Sequence, residues 1–186
     1  KFKNKFKNLK FVDINILSKI LSKISHKKFI IDKNTCSIFF ENLILAKNKI
    51  IEQKDPIYFF KSIKTNNEIK NIQKAHITDG IALTKYLFWL KKNFYKRKIT
   101  EISASQKLSY FRNKNKDYLF PSFPTISGTG PNGAIIHYRA SKKTNLQIKK
   151  GDIYLVDSGG QYKFGTTDVT RTISLKNSDI RIKNIF

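Results

Sequence analysis

The clearest hydrophobic pattern lies in residues 65–94, where apolar side chains recur at helical spacing. Thr65 or Asn66 can cap a helix here, and Glu68 follows at the position expected of a capping box. The apolar positions of this face are Ile69, Ile72, Leu83, Tyr86, Leu87, Leu90 and Phe94. The spacing predicts a long amphipathic helix that ends near Asn93.

A second helix is predicted to begin at Thr100, because Thr100 can cap it and Glu101 places negative charge in its first turn. Beyond Asn113 the helical period disappears, and prolines and glycines separate short apolar runs. The predicted strands are residues 134–138, 153–157 and 167–173. Two helices followed by strands are typical of the α+β class.

The first sixty residues show a weaker pattern. Apolar runs at 28–32 and 37–40 each predict a strand followed by a helix. Pro56 is expected to break helical structure and bend the chain, so residues 53–56 mark a domain boundary. We therefore predict one domain segment over residues 1–60 and a second over residues 61–186.

The composition changes this picture little, although the chain is strongly basic. Its 186 residues contain 37 Lys and Arg against 13 Asp and Glu, for a net charge of +24. The charge is spread evenly and consists mostly of Lys, a residue that A/T-rich codons encode. A nucleic-acid-binding protein would more often cluster its charge and use Arg. Specific binding to nucleic acid is therefore not expected, and the 40% hydrophobic content predicts a folded core.

The single cysteine, Cys36, cannot form an intrachain disulfide, and no Cys/His spacing in the sequence is typical of a zinc site. No apolar run approaches the roughly 20 residues that a membrane span requires. These features predict a cytoplasmic protein that does not enter the membrane.

Residues 151–172 carry the most informative chemistry. Two predicted strands flank a glycine-containing turn, which favours a hairpin with its midpoint near Tyr162 and Lys163. Asp157 and Asp168 then face each other across the hairpin and repel, unless a divalent cation or a pair of cations binds both carboxylates. The alternative is that each Asp merely caps local N–H groups, a role that we assign to Asp179.

His137 is a second candidate, because it ends an apolar run as a histidine aimed into a cleft would. A hydrogen-bonded structural role is the alternative. His26 is expected to be solvated, and His76 is expected to pack between helices. Ser127 and Ser158 lack the Gly-x-Ser-x-Gly frame of a serine hydrolase.

Several blocks in order resemble the cytosolic-type Xaa-Pro aminopeptidases (aminopeptidase P) of the M24, or pita-bread, metallopeptidase family. The blocks are Glu68, 75–76, 79–80, 89–90, 100–101, 111–112, 121–123, 125–128, 130–138, 154–162 and 165–172. The resemblance implies the N-terminal half of a pita-bread fold, with residues 1–60 forming the end of a preceding creatinase-like α/β domain.

The resemblance also implies an activity and a site. Members of this family remove the N-terminal residue from peptides with proline at the second position. Two Asp, one His and two Glu hold two divalent metals, usually manganese, and a bridging hydroxide attacks the scissile carbonyl. Asp157 and Asp168 match the two Asp ligands, and His137 matches the histidine that contacts the substrate near that carbonyl. Many relatives are homodimers.

The sequence departs from the family after Asp168, where it contains no His and no Glu. The remaining three ligands are therefore absent from this chain, which is expected to be a fragment cut inside the catalytic domain and inactive by itself. The alternative function is a non-catalytic pita-bread module that binds other proteins. A third hypothesis, favoured by the charge alone, is nucleic-acid binding.

Overall fold

The computed structural model describes residues 11–175 and 180–185, and the chain divides into two compact units, Lys1–Ile63 and Lys64–Phe186. Asp179 lies outside the described residues. Helices and strands occur in both units, and the α+β prediction is confirmed. Among the described helices, none combines the length and the apolar character that crossing a bilayer requires.

The first unit is built on two parallel strands. Its elements are α1 (Leu17–Leu21), β1 (Lys28–Ile31), α2 (Ile38–Leu45), β2 (Lys49–Glu52) and α3 (Pro56–Ser62). The register runs from Lys28 opposite Lys49 to Ile31 opposite Glu52. Residues 28–31 form a strand as predicted, whereas β2 was not predicted.

The prediction of a strand at residues 37–40 is wrong, because these residues form the cap and the first turn of helix α2. Ser37 caps this helix by accepting a hydrogen bond from the Phe39 N–H at 3.3 Å. Pro56 likewise starts a helix. Asp55 caps α3 through the Ile57 N–H at 2.9 Å, and proline is tolerated in a first turn where its missing N–H has no partner.

The second unit begins with the two predicted helices, α4 (Asn66–Asn93) and α5 (Glu101–Asn113). Both start with a capping box. Thr65 Oγ1 accepts from the Glu68 N–H, and the Glu68 carboxylate accepts from the Thr65 N–H at 2.7 Å. The hydrogen bonds that the Glu68 carboxylate accepts from the Thr65 N–H and hydroxyl lower the pKa of Glu68. Thr100 caps α5 in the same way with Ser103 at the third position.

Two antiparallel three-stranded sheets follow the helices. Their strands are β3 (Tyr118–Pro121), β4 (Ile126–Thr129), β5 (Ile153–Ser158), β6 (Gly160–Tyr162), β7 (Gly165–Thr166) and β8 (Val169–Ser174), and a final helix α6 spans Ile180–Ile185. One sheet has the order β4-β5-β8 and the other β3-β6-β7. Residues 134–138 are not the predicted strand: a 3-10 helix, Gly130–Ala134, leads into a turn.

The core of this unit lies between the long helices and the β4-β5-β8 sheet. Its buried members include Leu83, Tyr86, Leu90, Leu108, Ile148, Tyr154 and Val156. Along β5 fully buried residues alternate with partly exposed ones, and the buried residues are Tyr154, Val156 and Ser158. Asp157 therefore points away from this core, since successive strand residues face opposite sides of a sheet.

Candidate metal and substrate site

The two candidate metal ligands are Asp157, within β5, and Asp168, directly before β8, and the register of these two strands differs from the prediction. Asp157 lies opposite Thr170, and Ser158 lies opposite Val169. The hairpin turn falls at residues 163–164, because Tyr162 pairs with Gly165. The prediction that Asp157 directly faces Asp168 is therefore wrong, since the turn lies one residue further along than the midpoint expected.

Asp168 nevertheless remains a neighbour of Asp157. The Thr167 N–H donates to the Gly160 carbonyl at 2.9 Å, and Val169 pairs with Ser158, so Asp168 lies opposite Gly159. That position is diagonal to Asp157. Diagonal neighbours on an antiparallel pair are in general roughly 7–8 Å apart. Asp157 is half-buried and Asp168 is exposed, so both carboxylates are open to a ligand.

Thr170 is a member of this site that sequence reasoning missed. Its hydroxyl donates to Asp157 Oδ1 at 2.8 Å and so holds the orientation of that carboxylate. Partners of this kind orient metal ligands in other proteins. The signal was present in the sequence as a Thr two residues after Asp168, but only the observed register brings it opposite Asp157.

Because Gly159 has no side chain, the segment that follows β3 can approach the hairpin between the two Asp residues. A Cβ at this position would overlap the Thr167 carbonyl oxygen and Ser122 Oγ. Ser122 in turn donates from its hydroxyl to the Thr167 carbonyl at 2.8 Å, and its N–H donates to the Gly159 carbonyl at 3.2 Å. The segment after β3 therefore supports the hairpin where the candidate ligands lie.

A buried polar network holds the end of β5 next to Asp157. Arg112 donates to both carboxylate oxygens of Asp79, at 2.6 and 2.9 Å, and also to Ser158 Oγ at 3.1 Å. The Tyr162 hydroxyl donates to Asp79 Oδ1 at 2.8 Å, and burial together with this hydrogen bond raises the pKa of Tyr162. The network joins α4, α5, β5 and β6. Its members matched blocks of the family resemblance, but the sequence did not indicate that they touch.

His137 lies in the turn formed by residues 135–138, which the Tyr138 N–H closes on the Ile135 carbonyl at 3.2 Å. Its φ of 54° is uncommon for a residue with a side chain. The side chain is exposed, so it is open to a ligand rather than packed in the core. His26 is exposed as expected, whereas His76 is also exposed and does not pack between helices.

The donor set suits a hard divalent cation in type, because Asp157 and Asp168 both supply carboxylate oxygens. It is incomplete in number. Within residues 11–175 and 180–185, no three or more His, Cys, Asp or Glu side chains form a group able to hold a metal ion. The described part of the chain therefore supplies two candidate ligands and not a whole metal site.

Comparison with known proteins places the chain in a family. The model of metallopeptidase family M24 matches residues 70–186. The chain belongs to metallopeptidase family M24. Xaa-Pro aminopeptidase ApepP of Drosophila melanogaster is 40% identical over 167 residues, which are 89% of this chain and 27% of that protein. The probable Xaa-Pro aminopeptidase P of Coccidioides posadasii (strain RMSCC 757 / Silveira) is 44% identical over 152 residues, 80% of this chain and 24% of that protein.

Solved M24 structures share the fold. The X-prolyl aminopeptidase of Caenorhabditis elegans, described as a cytosolic enzyme with a di-nuclear active site, superposes with a TM-score of 0.68 at 30% identity and covers 72% of this chain and 22% of that one. The prolidase of Pyrococcus furiosus gives a TM-score of 0.75 at 24% identity, over 95% and 50% of the two chains. The family resemblance and the pita-bread fold are confirmed. The chain spans about a quarter of the length of the curated M24 relatives that it matches.

Proposed function

We propose that this chain forms part of a metal-dependent Xaa-Pro aminopeptidase, which removes the N-terminal residue from peptides with proline at the second position. The observation that carries the proposal is the diagonal pair of open carboxylates, Asp157 and Asp168, inside the region that matches family M24. The 40–44% identity to Xaa-Pro aminopeptidases supports this substrate class. Residues 61–186 then belong to the catalytic domain, and residues 1–60 to the end of a creatinase-like domain.

Asp157 and Asp168 would hold two divalent cations, which we propose to be Mn²⁺. When bound, such a pair lowers the pKa of a shared water and polarises the scissile carbonyl. The Thr170 hydroxyl orients the carboxylate of Asp157 for this role through its 2.8 Å hydrogen bond. The C. elegans relative with a di-nuclear active site supports the pair of cations.

His137 contacts the substrate in this proposal. Its exposed imidazole can donate a hydrogen bond from a ring nitrogen to the oxyanion that forms on the scissile carbonyl. The turn at 135–138 holds the side chain outward, so the imidazole reaches the substrate without displacing core residues.

The chain alone is expected to be inactive. Beyond Asp168 the sequence contains no His and no Glu, so it does not supply the other three ligands that the family uses. Ligand number sets the affinity for hard cations, and two carboxylates alone bind them weakly. We further propose that the active protein is a cytoplasmic homodimer; the cytosolic C. elegans relative supports its location.

The test is hydrolysis of an Xaa-Pro-Xaa tripeptide in the presence of Mn²⁺. The 186-residue chain and the complete product of its gene are assayed in parallel, with an Xaa-Ala-Xaa peptide as the substrate control. We expect activity in the complete product alone, and Asp157→Asn or Asp168→Asn should abolish both hydrolysis and calorimetric Mn²⁺ binding. Asp117→Asn is the matched control, because this carboxylate pairs with the exposed Lys163 side chain at 3.2 Å and lies outside the candidate site. A folded complete product that cleaves neither peptide would replace the proposal with the non-catalytic binding module.

A further inference from the structure

Glu101 is a fully buried carboxylate without a cation. Its exposure is 0%, and among residues 11–175 and 180–185 no Lys, Arg or His forms an ion pair with it. Burying a charge is costly unless hydrogen bonds compensate for the lost water. The compensation here comes from neutral donors alone.

Among the described residues, the donors to the Glu101 carboxylate all belong to one stretch of chain, the segment from Thr129 to Leu146 that leads from β4 towards β5. Oε1 accepts from the Thr129 N–H at 2.8 Å and from Asn132 Nδ2 at 3.0 Å. Oε2 accepts from the Tyr138 hydroxyl at 2.8 Å and from the Leu146 N–H at 3.0 Å. A single side chain at the start of α5 therefore ties this loop at four points.

His137 lies inside the loop that is hydrogen-bonded to Glu101. Its side chain is exposed, so packing of that side chain does not stabilise its backbone conformation. Its φ of 54° falls in the left-handed region, where a side chain costs free energy unless the surroundings enforce it. The side chains of Ile136 and His137 are exposed, and Ile136 is 86% exposed. The next residue, Tyr138, is only 5% exposed and carries the hydroxyl that Glu101 accepts.

We propose that Glu101 is the positioning residue for His137. By accepting from Asn132 before the turn and from Tyr138 after it, the carboxylate holds the strained turn that presents the imidazole. Glu101 does not touch the substrate in this inference and acts only through His137. The catalytic consequence rests on the proposed function, whereas the positioning itself does not.

The chemistry of the donors explains why a carboxylate is needed. Both oxygens of Glu101 accept, so two N–H groups and the Asn132 and Tyr138 donors are satisfied together. Glu101→Gln keeps the shape but replaces one acceptor oxygen with an NH₂ that faces other donors. Tyr138→Phe removes the hydroxyl that donates to Glu101 and accepts from Asn132 Nδ2 at 2.8 Å, and it leaves the carboxylate in place.

The first experiment follows the imidazoles of the 186-residue chain by ¹H–¹⁵N NMR, which requires neither metal nor activity. The chain has three histidines, so each gives a separate set of signals. We expect Glu101→Gln and Tyr138→Phe to shift the His137 imidazole and backbone signals and to leave those of His26 and His76 unchanged. Tyr110→Phe, at a half-exposed position, is the matched control and should shift none of them. Unchanged His137 signals in folded Tyr138→Phe would overturn the proposal, even if Glu101→Gln fails to fold.

The second experiment measures kinetics in the complete gene product. Tyr138→Phe should lower kcat roughly 10-fold with little change in KM, because misplacing a group at the reacting carbonyl slows the chemical step. In the His137→Gln background, Tyr138→Phe should cost nothing further, since its effect passes through His137. Losses that multiply in the double variant would overturn the proposal. If the complete product cleaves no Xaa-Pro peptide, the proposed function fails, and the NMR result still decides whether Glu101 positions His137.

Discussion

Two carboxylates are buried among the residues that the structure describes, Asp79 and Glu101, and their surroundings differ in what neutralises the charge. Asp79 meets the buried guanidinium of Arg112 in a two-pronged ion pair at 2.6 and 2.9 Å, and its side chain and that of Arg112 are each 2% exposed. The Glu101 carboxylate receives neutral N–H and O–H donors, and none of its partners in the described part of the chain carries a charge. The first site pairs two charges, and the second disperses one charge over several dipoles.

The two sites also differ in what they connect. The Asp79 network joins two helices and two strands, with partners 33 and 83 residues away along the chain. The hydrogen bonds to the Glu101 carboxylate join the start of α5 to the end of β4 and the loop that follows it. We infer that the Asp79 region secures the packing of the whole unit, whereas the Glu101 region sets the shape of the loop that carries His137.

The largest expected effect comes from breaking the buried ion pair. Arg112→Ala leaves the Asp79 charge buried without its partner, and removing one member of such a pair costs about 3–5 kcal/mol of the free energy of unfolding. Urea denaturation of the chain measures this loss. Lys163→Ala is the control, because its pair with Asp117 is exposed and should contribute about 0.5 kcal/mol or less. Equal losses in the two variants would show that burial does not distinguish the pairs.

A smaller effect is expected from the Glu101 region. Tyr138→Phe removes the hydroxyl that donates to the buried Glu101 charge and accepts from Asn132 Nδ2, and loss of a hydrogen bond to a buried charge costs about 2 kcal/mol. Hydrogen exchange should accelerate at the Thr129 and Leu146 amides, which donate to the same carboxylate, while the core of α4 keeps its protection. Uniform acceleration throughout the unit would remove the distinction between a local and a global network.

The smallest effect concerns a chain of hydroxyls that runs from helix α4, which carries Asp79, to Glu101. Tyr86 meets Tyr154 at 2.7 Å, Tyr154 meets Ser127 at 2.7 Å, and Ser127 donates to the Glu101 carbonyl at 2.8 Å. Burial raises the pKa of Tyr154 to about 12. In the unfolded state the Tyr154 phenol loses its proton near pH 10, before it does so in the folded state. The free energy of unfolding therefore falls as the pH rises above that value.

Between pH 9 and pH 11 the titration of Tyr154 lowers the free energy of unfolding of the wild type by about 1.4 kcal/mol. Tyr154→Phe does not show this loss. Urea denaturation of both proteins at the two pH values checks the difference. Because the lysines titrate equally in both proteins, their contribution cancels. Parallel pH profiles for wild type and Tyr154→Phe would contradict the expectation.

The elements that depend on neighbours in sequence were predictable. Helices α4 and α5 begin at the predicted caps, Thr65 and Thr100, because a capping box needs only residues three apart. Strands β5 and β8 match the predicted runs closely, since their apolar residues face one core. The weak N-terminal pattern was less informative: the apolar run 37–40 suits a strand or a helix, and the cap at Ser37 decides for a helix.

The sequence by itself determined the α+β class, the helix starts, the family and the identity of the candidate residues Asp157, Asp168 and His137. Tertiary structure decided how they are arranged. The turn at 163–164 places Thr170 rather than Asp168 opposite Asp157, and a shift of the turn by one residue changes every cross-strand partner. The left-handed turn at His137 arises where Glu101 ties a loop over distances of 28 to 45 residues along the chain. Such contacts depend on how the folded chain packs, and no local spacing encodes them.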